Sequence, residues 1–227
     1  MDEAPSDYGR RVSRFGVVNV YLVREEDGLT VIDTAISGSA KPVLAAAKEM
    51  GAPIRRIVLT HAHGDHVGSL DALAAEVPGA EVLISGREAR LLRKDKTMEP
   101  AEPDAKLRGG FPGTKTQPTR TFEPGDAIGS LEVIAAPGHT PGHVALIDTR
   151  DRTMYCGDAY STLGGVDTCA RFNPRFPLVW LATWHKPTAL ETARSLRARE
   201  PGALAPGHGK VIVDPLRAMD EAIAKAS

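Results

Sequence analysis

Two cysteines in 227 residues leave no basis for a disulfide framework. Cys156 and Cys169 match no cysteine-based zinc spacing, and a chain of this length does not depend on a single bridge. They read as reduced thiols, which points to a cytoplasmic protein. An excess of charge of either sign is also missing. With 28 basic and 29 acidic residues the net charge is −1, so the chain offers no electrostatic footprint for nucleic acid or an anionic membrane. No apolar run approaches the length of a membrane span. The acidic start, Met1 to Asp7, has no apolar stretch of the kind a secretory leader needs. There is no repeat at solenoid periods, and no Gly-x-Ser-x-Gly of the α/β-hydrolase kind. What remains is an ordinary globular composition, 42% hydrophobic, long enough for one large domain or two small ones.

Histidine is unevenly placed. Three of the seven fall in one hexapeptide, His61-Ala62-His63-Gly64-Asp65-His66, directly after the strand-like Ile57-Val58-Leu59-Thr60. Imidazole nitrogen and carboxylate oxygen are ligands of borderline metals such as zinc. Alternate residues of an extended segment point the same way, so His61 and His63 can share one metal. Asp65 and His66 project differently as the chain turns into a helix, which suggests two adjacent metal positions. Further candidates follow other apolar runs: His139 in Pro137-Gly138-His139-Thr140-Pro141-Gly142-His143, Asp158 in Tyr155-Cys156-Gly157-Asp158, and His208 in Pro206-Gly207-His208-Gly209. Ligands spread from 61 to 208 must converge, which argues for one domain over residues 1–227.

In this order, these motifs resemble the metallo-β-lactamase-fold superfamily of metallohydrolases, from about Asn19 to His208. The resemblance implies that His61, His63 and His139 bind one metal, that Asp65, His66 and His208 bind a second, and that Asp158 bridges them. It also implies that Asp33, ending Leu29-Thr30-Val31-Ile32-Asp33, orients a ligand histidine; a simple turn residue is an equal reading of Asp33. The cofactors expected are two zinc ions, with iron or manganese compatible with the same donors.

The coarse pattern predicts strands over Val17–Val23 and Leu29–Ile32, then a helix over Ala40–Met50 closed by Gly51. After the histidine loop come a helix around Leu70–Val77, a strand over Glu81–Ile84 and a helix over Arg87–Arg93. Residues 94–119, with four prolines and three glycines, read as a long loop of the kind that forms lids or pocket walls. Strands follow at Arg120–Phe122, Leu131–Ala135, Val144–Asp148 and Thr153–Cys156, and a helix over Thr188–Arg199. A last strand, Val211–Val213, leads into a helix with Asp214 as N-cap candidate. The groups Val17–Ile32 and Arg120–Cys156 read as antiparallel meanders. This mixture leaves α+β open; the resemblance implies the αβ/βα four-layer sandwich, an α/β (α+β) architecture.

The chemistry expected is hydrolysis of a small lactone, ester or thioester by a dinuclear metal-bound hydroxide, with Asp158 bridging and Asp65 taking up a proton. Alternatives are an iron-dependent sulfur dioxygenase-like oxidoreductase, β-lactam hydrolysis as a minor activity, or a silent metal-binding module. The resemblance implies an aspartate at position 158 in glyoxalase II-like thioesterases and lactonases and not in true β-lactamases. The 19 residues after His208 leave no room for the C-terminal domain of glyoxalase II enzymes, and Ser161 stands where quorum-quenching lactonases carry tyrosine. Five of the eleven aromatics cluster in residues 159–185. Tyr160, Arg171, Phe172, Arg175 and Phe176 are the pocket candidates; Trp180 and Trp184 read as core. His143 is expected to support its turn, and His185 to cap or pack at the following helix.

Overall fold

In the computed structural model, which describes residues 8–227, two six-stranded sheets stack face to face with helices on both outer surfaces. The first sheet opens with an antiparallel meander: β1 (Gly9–Arg14), β2 (Val18–Glu25) and β3 (Gly28–Ile32). The chain crosses through α1 (Ala40–Met50) to β4 (Ile54–Val58), which pairs parallel to β3. After α2 (Gly64–Val67) and α3 (Leu70–Glu76) comes β5 (Glu81–Ser85), and after α4 (Gly86–Leu92) comes the edge strand β6 (Arg120–Phe122), both again parallel.

The second sheet is an antiparallel meander of β7 (Ala127–Ile128), β8 (Leu131–Ala135), β9 (Val144–Asp148) and β10 (Thr153–Gly157). A two-stranded ribbon, β11 (Tyr160–Ser161) with β12 (Asp167–Thr168), leads to α5 (Leu178–Ala182) and α6 (Lys186–Ala198). Strand β13 (Ala203–Pro206) returns parallel to β10, β14 (Ile212–Val213) closes that edge, and α7 (Leu216–Ala226) ends the chain.

The strands read as continuous apolar runs because both faces of each sheet are covered. On β2, Tyr21 and Val23 face the second sheet and pack with Leu131, Val133, Leu146 and Tyr155. The alternate residues Val20 and Leu22 face the helices and pack with Val43 of α1 and Leu70 and Leu73 of α3. On the far side, Ala145, Ile147 and Met154 meet Ala193 and Leu196 of α6 and Met219 and Ala222 of α7. The result is the four-layer αβ/βα sandwich.

Two expectations are corrected. Arg120–Phe122 does not belong to the second meander: it pairs parallel with Leu83–Ser85 at the edge of the first sheet. Asp214 does not cap the last helix. Its backbone sits at φ 50°, and the N-cap position falls to Pro215 without a side-chain bond. Gly51 does close α1, in the left-handed conformation at φ 68°. Strand β1 has no counterpart in the sequence reading, since Gly9-Arg10-Arg11-Val12-Ser13-Arg14 is too polar to announce itself and gains its place by pairing with β2.

The sheets are tied together beside the site by polar groups of β2. The Asn19 amide donates to the Pro206 and Gly209 carbonyls at 2.9 and 2.7 Å, and the Tyr21 hydroxyl donates to Pro206 at 2.7 Å. Asn19→Ala strips the donors from the segment that carries His208 and should lower stability by about 1–3 kcal/mol. Tyr21→Phe leaves Pro206 with the Asn19 donor and should cost about 0.5–1.5 kcal/mol. Denaturant midpoints at unchanged slope check both.

Candidate metal centre

The centre forms where strands of both sheets end. Beyond β4 the chain stays extended through Thr60-His61-Ala62-His63, then enters α2 with His63 at its N-cap position. That switch from extended to helical backbone turns Asp65 and His66 away from the direction shared by His61 and His63. His139 comes from the turn between β8 and β9, Asp158 follows β10, and His208 follows β13. Three groups of donors result, each with its ligand atoms within 4.8 Å of one another: His61, His63 and His139; His61, His66 and Asp158; Asp65, His66 and His208. Asp158 lies between the first and last. Its Oδ2 is 3.3 Å from His139 Nε2 and 3.2 Å from His208 Nε2, and its Oδ1 is 3.3 Å from His66 Nε2. All seven candidates come together, and all but Asp65 are buried.

Hydrogen bonding assigns the protons. Thr60 Oγ1 donates to Asp33, so it accepts from His61 Nδ1–H at 3.0 Å. Thr183 Oγ1 donates to the Val179 carbonyl, so it accepts from His139 Nδ1–H at 3.0 Å. His66 Nδ1–H donates to Asp33 Oδ2 at 2.8 Å, His208 Nδ1–H to the Val17 carbonyl at 3.1 Å, and His63 Nε2–H to the Arg108 carbonyl at 3.0 Å. A neutral imidazole has one N–H. Each outward nitrogen carries it, so five inward nitrogens present lone pairs. Three of these crowd together: His63 Nδ1 is 3.1 Å from His61 Nε2 and 3.0 Å from His139 Nε2. His66 Nε2 and Asp158 Oδ1 are buried with no hydrogen-bond partner. Lone pairs and carboxylates converging in a largely buried site call for cations between them, so the residues fit divalent metal.

Burial alone would lower the His66 and His208 pKa values, but Asp158 reverses this in both, with Asp33 adding to His66 and Asp65 to His208. His66 is raised well above the ordinary histidine value and His208 to about 9. His61 and His139, by contrast, are pushed well below it, first by burial and then by neighbouring histidines. Burial also pushes the Asp65 carboxyl up, but His208 and His66 outweigh it and hold Asp65 well below the usual carboxylate range.

Asp33 sits where its sequence position placed it. Its carboxylate accepts from Thr60 N–H, the Thr60 hydroxyl and His66, with its own backbone at φ 61°. His143 donates from Nδ1 to the Ala136 carbonyl and accepts the Asp158 N–H at Nε2, so it supports Asp158 and not a metal. His185 is the N-cap of α6, accepting from Thr188 N–H. Cys156 and Cys169 are buried free thiols, both pushed up by burial, Cys169 to about 12.

Sequence reasoning missed Glu88. It is fully buried and accepts from Ala62 N–H at 2.8 Å, the Thr140 hydroxyl at 2.7 Å and Gly142 N–H at 2.9 Å. It thus pins the histidine loop to the His139 loop. Its only sequence signal, Ser85-x-x-Glu88, reads as an ordinary helix start, and Ser85 Oγ does accept Glu88 N–H there.

The pocket candidates divide. Phe176 lines a cavity of about 540 Å³ beside the donors, together with Val17, Val18, Leu178, Leu181 and Ala182. Tyr160, Arg171, Phe172 and Arg175 do not line it, which corrects that expectation. Tyr160 is buried with its hydroxyl on the Ala193 carbonyl; Arg171 pairs with Asp167 at 2.8 Å; Arg175 donates to the Gly164 carbonyl; Phe172 packs edge-on against Trp180. Trp184 is core, as expected, whereas Trp180 is half-buried. The loop 94–119 contributes a wall through Gly109 and Gly110.

A model of the metallo-beta-lactamase superfamily matches residues 13–208. The chain is 44% identical over 210 residues to the uncharacterized protein YobT of Bacillus subtilis (strain 168), covering 92% of this chain and 90% of that one. It is 30% identical over 216 residues to the probable metallo-hydrolase YflN of the same organism, covering 85% and 81%. A hydroxyacylglutathione hydrolase of Stenotrophomonas maltophilia (strain R551-3) is 31% identical over 172 residues, 75% of this chain; the match spans only 56% of that protein. Among solved structures, BLEG-1 B3 metallo-beta-lactamase superposes with TM-score 0.70 at 21% identity, covering 96% and 100% of the two chains. TTHA1623 in a di-iron-bound form superposes with TM-score 0.67 at 24% identity, covering 96% of each.

Gly109 lies at φ +79°, and a Cβ there would stand 2.3 Å from His63 Nε2. Gly109→Ala should break the His63–Arg108 bond and weaken cation binding about 10–100-fold, the usual cost of losing an outer partner; chelator-competition titration measures it. Because the neighbouring carboxylates raise the His66 and His208 pKa values, metal loading at pH 7 should release protons, read with an indicator dye. Apparent affinity should therefore climb as pH rises from 6 toward about 9, the value of His208.

Proposed function

The chain belongs to the metallo-beta-lactamase superfamily, and from that premise we propose a dinuclear metallohydrolase that cleaves a small lactone, ester or thioester. The reading has residues 1–227 as one domain. His61, His63 and His139 hold one cation, Asp65, His66 and His208 hold the second, and Asp158 lies between them. The observation that carries it is the convergence of five inward imidazole lone pairs and two carboxylates. Zinc suits these nitrogen and oxygen donors; iron and manganese share the preference closely enough that the metal is settled by elemental analysis.

When bound, the two cations supply a nucleophilic water at neutral pH and a Lewis acid for the carbonyl oxygen. The protein's own groups do the rest. Asp65 borders the cavity, its side chain 41% exposed, and it stays ionised because of His208 and His66. It is the group placed to accept the proton of the attacking water. Asp158 keeps both oxygens toward the donors because His143 holds its backbone N–H at 3.1 Å.

Two features favour a neutral carbonyl substrate over a phosphodiester: the net charge is −1, and no lysine or arginine side chain lines the cavity. Among the described residues no helix is long and apolar enough to cross a membrane.

Protein purified without chelator should carry close to two metal ions per chain. Asp158→Ala should reduce that number and lower kcat/KM on an ester, lactone and thioester panel by more than about 100-fold. Turnover that survives both this substitution and a chelator would sink the mechanism.

A further inference from the structure

The cavity has a metal-facing floor and an apolar mouth. The floor is His63, Asp65, Asp158 and His208; the mouth is formed by Val17 and Val18, after the β1–β2 turn, and by α5. Val179 packs with Cys169 and Ala189 and also reaches the cavity. Leu178, Leu181 and Ala182, at i, i+3 and i+4, share the cavity side. Leu178 is 60% and Leu181 48% exposed, among the few large hydrophobic side chains left in water.

The wall is preformed. The Val179 carbonyl accepts the Thr183 hydroxyl at 2.7 Å, and that hydroxyl accepts His139 Nδ1–H. The helix is thereby tied through one side chain to a donor of the metal centre. Cations of the neighbouring segment are engaged elsewhere. Lys186 Nζ donates to the Thr183 carbonyl at 2.9 Å and lies 4.6 Å from the Trp180 ring. Arg171 pairs with Asp167, and Arg175 donates to Gly164. A substrate carboxylate entering the cavity would meet no lysine or arginine of its lining.

We infer that the cavity seats an uncharged aliphatic acyl chain between Val17–Val18 and α5, and that Leu178 and Leu181 determine the chain length accepted. This rests on the carbonyl-hydrolase reading for turnover, but the acyl site itself is a binding property. At about 540 Å³ the cavity is within the range of small-molecule sites, enough for a chain of several methylenes beside a reacting carbonyl. It disfavours thioesters of glutathione, whose carboxylates would find no lysine or arginine of the lining to pair with.

The test uses the metal-loaded enzyme with p-nitrophenyl esters of straight-chain C2 to C10 acids, S-lactoyl-glutathione, and N-alkyl amides of C2 to C10 acids as slowly cleaved binding probes. Both kcat/KM for the esters and calorimetric affinity for the amides should climb about three- to fourfold per methylene from C4 to C8, the transfer value of a buried CH2. The pair Leu178→Ser and Leu181→Ser should flatten that slope toward onefold in both series; thermal denaturation verifies that the variant is folded. If the double variant does not fold, Leu181→Trp should move the optimum to shorter chains. A wild-type amide series that is flat with chain length overturns the acyl site, as does a glutathione thioester cleaved faster than neutral esters. Amide affinity that climbs while no ester, lactone or thioester turns over supports the acyl site and instead refutes the carbonyl-hydrolase reading.

Discussion

Each imidazole of the centre carries its proton on the side away from the middle, and the rest of the structure follows from that constraint. An imidazole that donated inward would present a proton where a cation must sit. The outward acceptors are all different: the hydroxyls of Thr60 and Thr183, the carboxylate of Asp33, and the carbonyls of Arg108 and Val17. They come from a strand end, the turn after α5, the end of β3, the long loop and the β1–β2 turn. Holding five rings in register therefore requires most of the fold, which is why ligands from position 61 to 208 share one centre.

Holding so many polar groups in a dry interior works against stability unless each is satisfied. Two carboxylates do much of this. Asp33 collects Thr60 and His66 from a left-handed backbone position at φ 61°, a conformation that aspartate tolerates better than most residues. Glu88 is buried and accepts from both ligand loops, and burial raises its pKa. Close packing adds its own demand: a Cβ on Gly207 would lie 2.4 Å from Asp158 Oδ1, so the chain beside the central carboxylate must be glycine. Strained or conditionally satisfied positions concentrated around one cluster are what a functional site looks like in physical terms.

The cavity carries the opposite character. Its mouth is apolar, its only charges belong to the donor cluster, and α5 is linked to His139 through Thr183. Specificity and metal geometry are thereby coupled: a shift of the acyl-facing helix would be felt at a donor nitrogen. One fold can carry many functions through the sites built on it, so the walls are where a substrate preference would be written.

The donors and most elements were legible in the sequence because their signals are local. The helix over Ala40–Met50 with Gly51, the strand Arg120–Phe122 and the hexapeptide His61–His66 each depend on residues a few positions apart. Four candidate donors stand in one hexapeptide that follows an apolar run, three more stand beside glycines near the ends of other runs, and the resemblance added Asp33. What only tertiary structure decided depends on partners distant along the chain. The edge strand Arg120–Phe122 joins the first sheet because β5 is next to it in space, not in sequence. Tyr160 and Arg171 lie near Asp158 in sequence but turn into the core and an ion pair, while Val17, Leu178 and Leu181 form the walls. Glu88 looks like a helix-start residue until Ala62 and Gly142 are brought to it. A short motif can announce a ligand because the ligand chemistry is its own; a wall, a sheet edge or a buried acceptor is defined only by what the folded chain places opposite it.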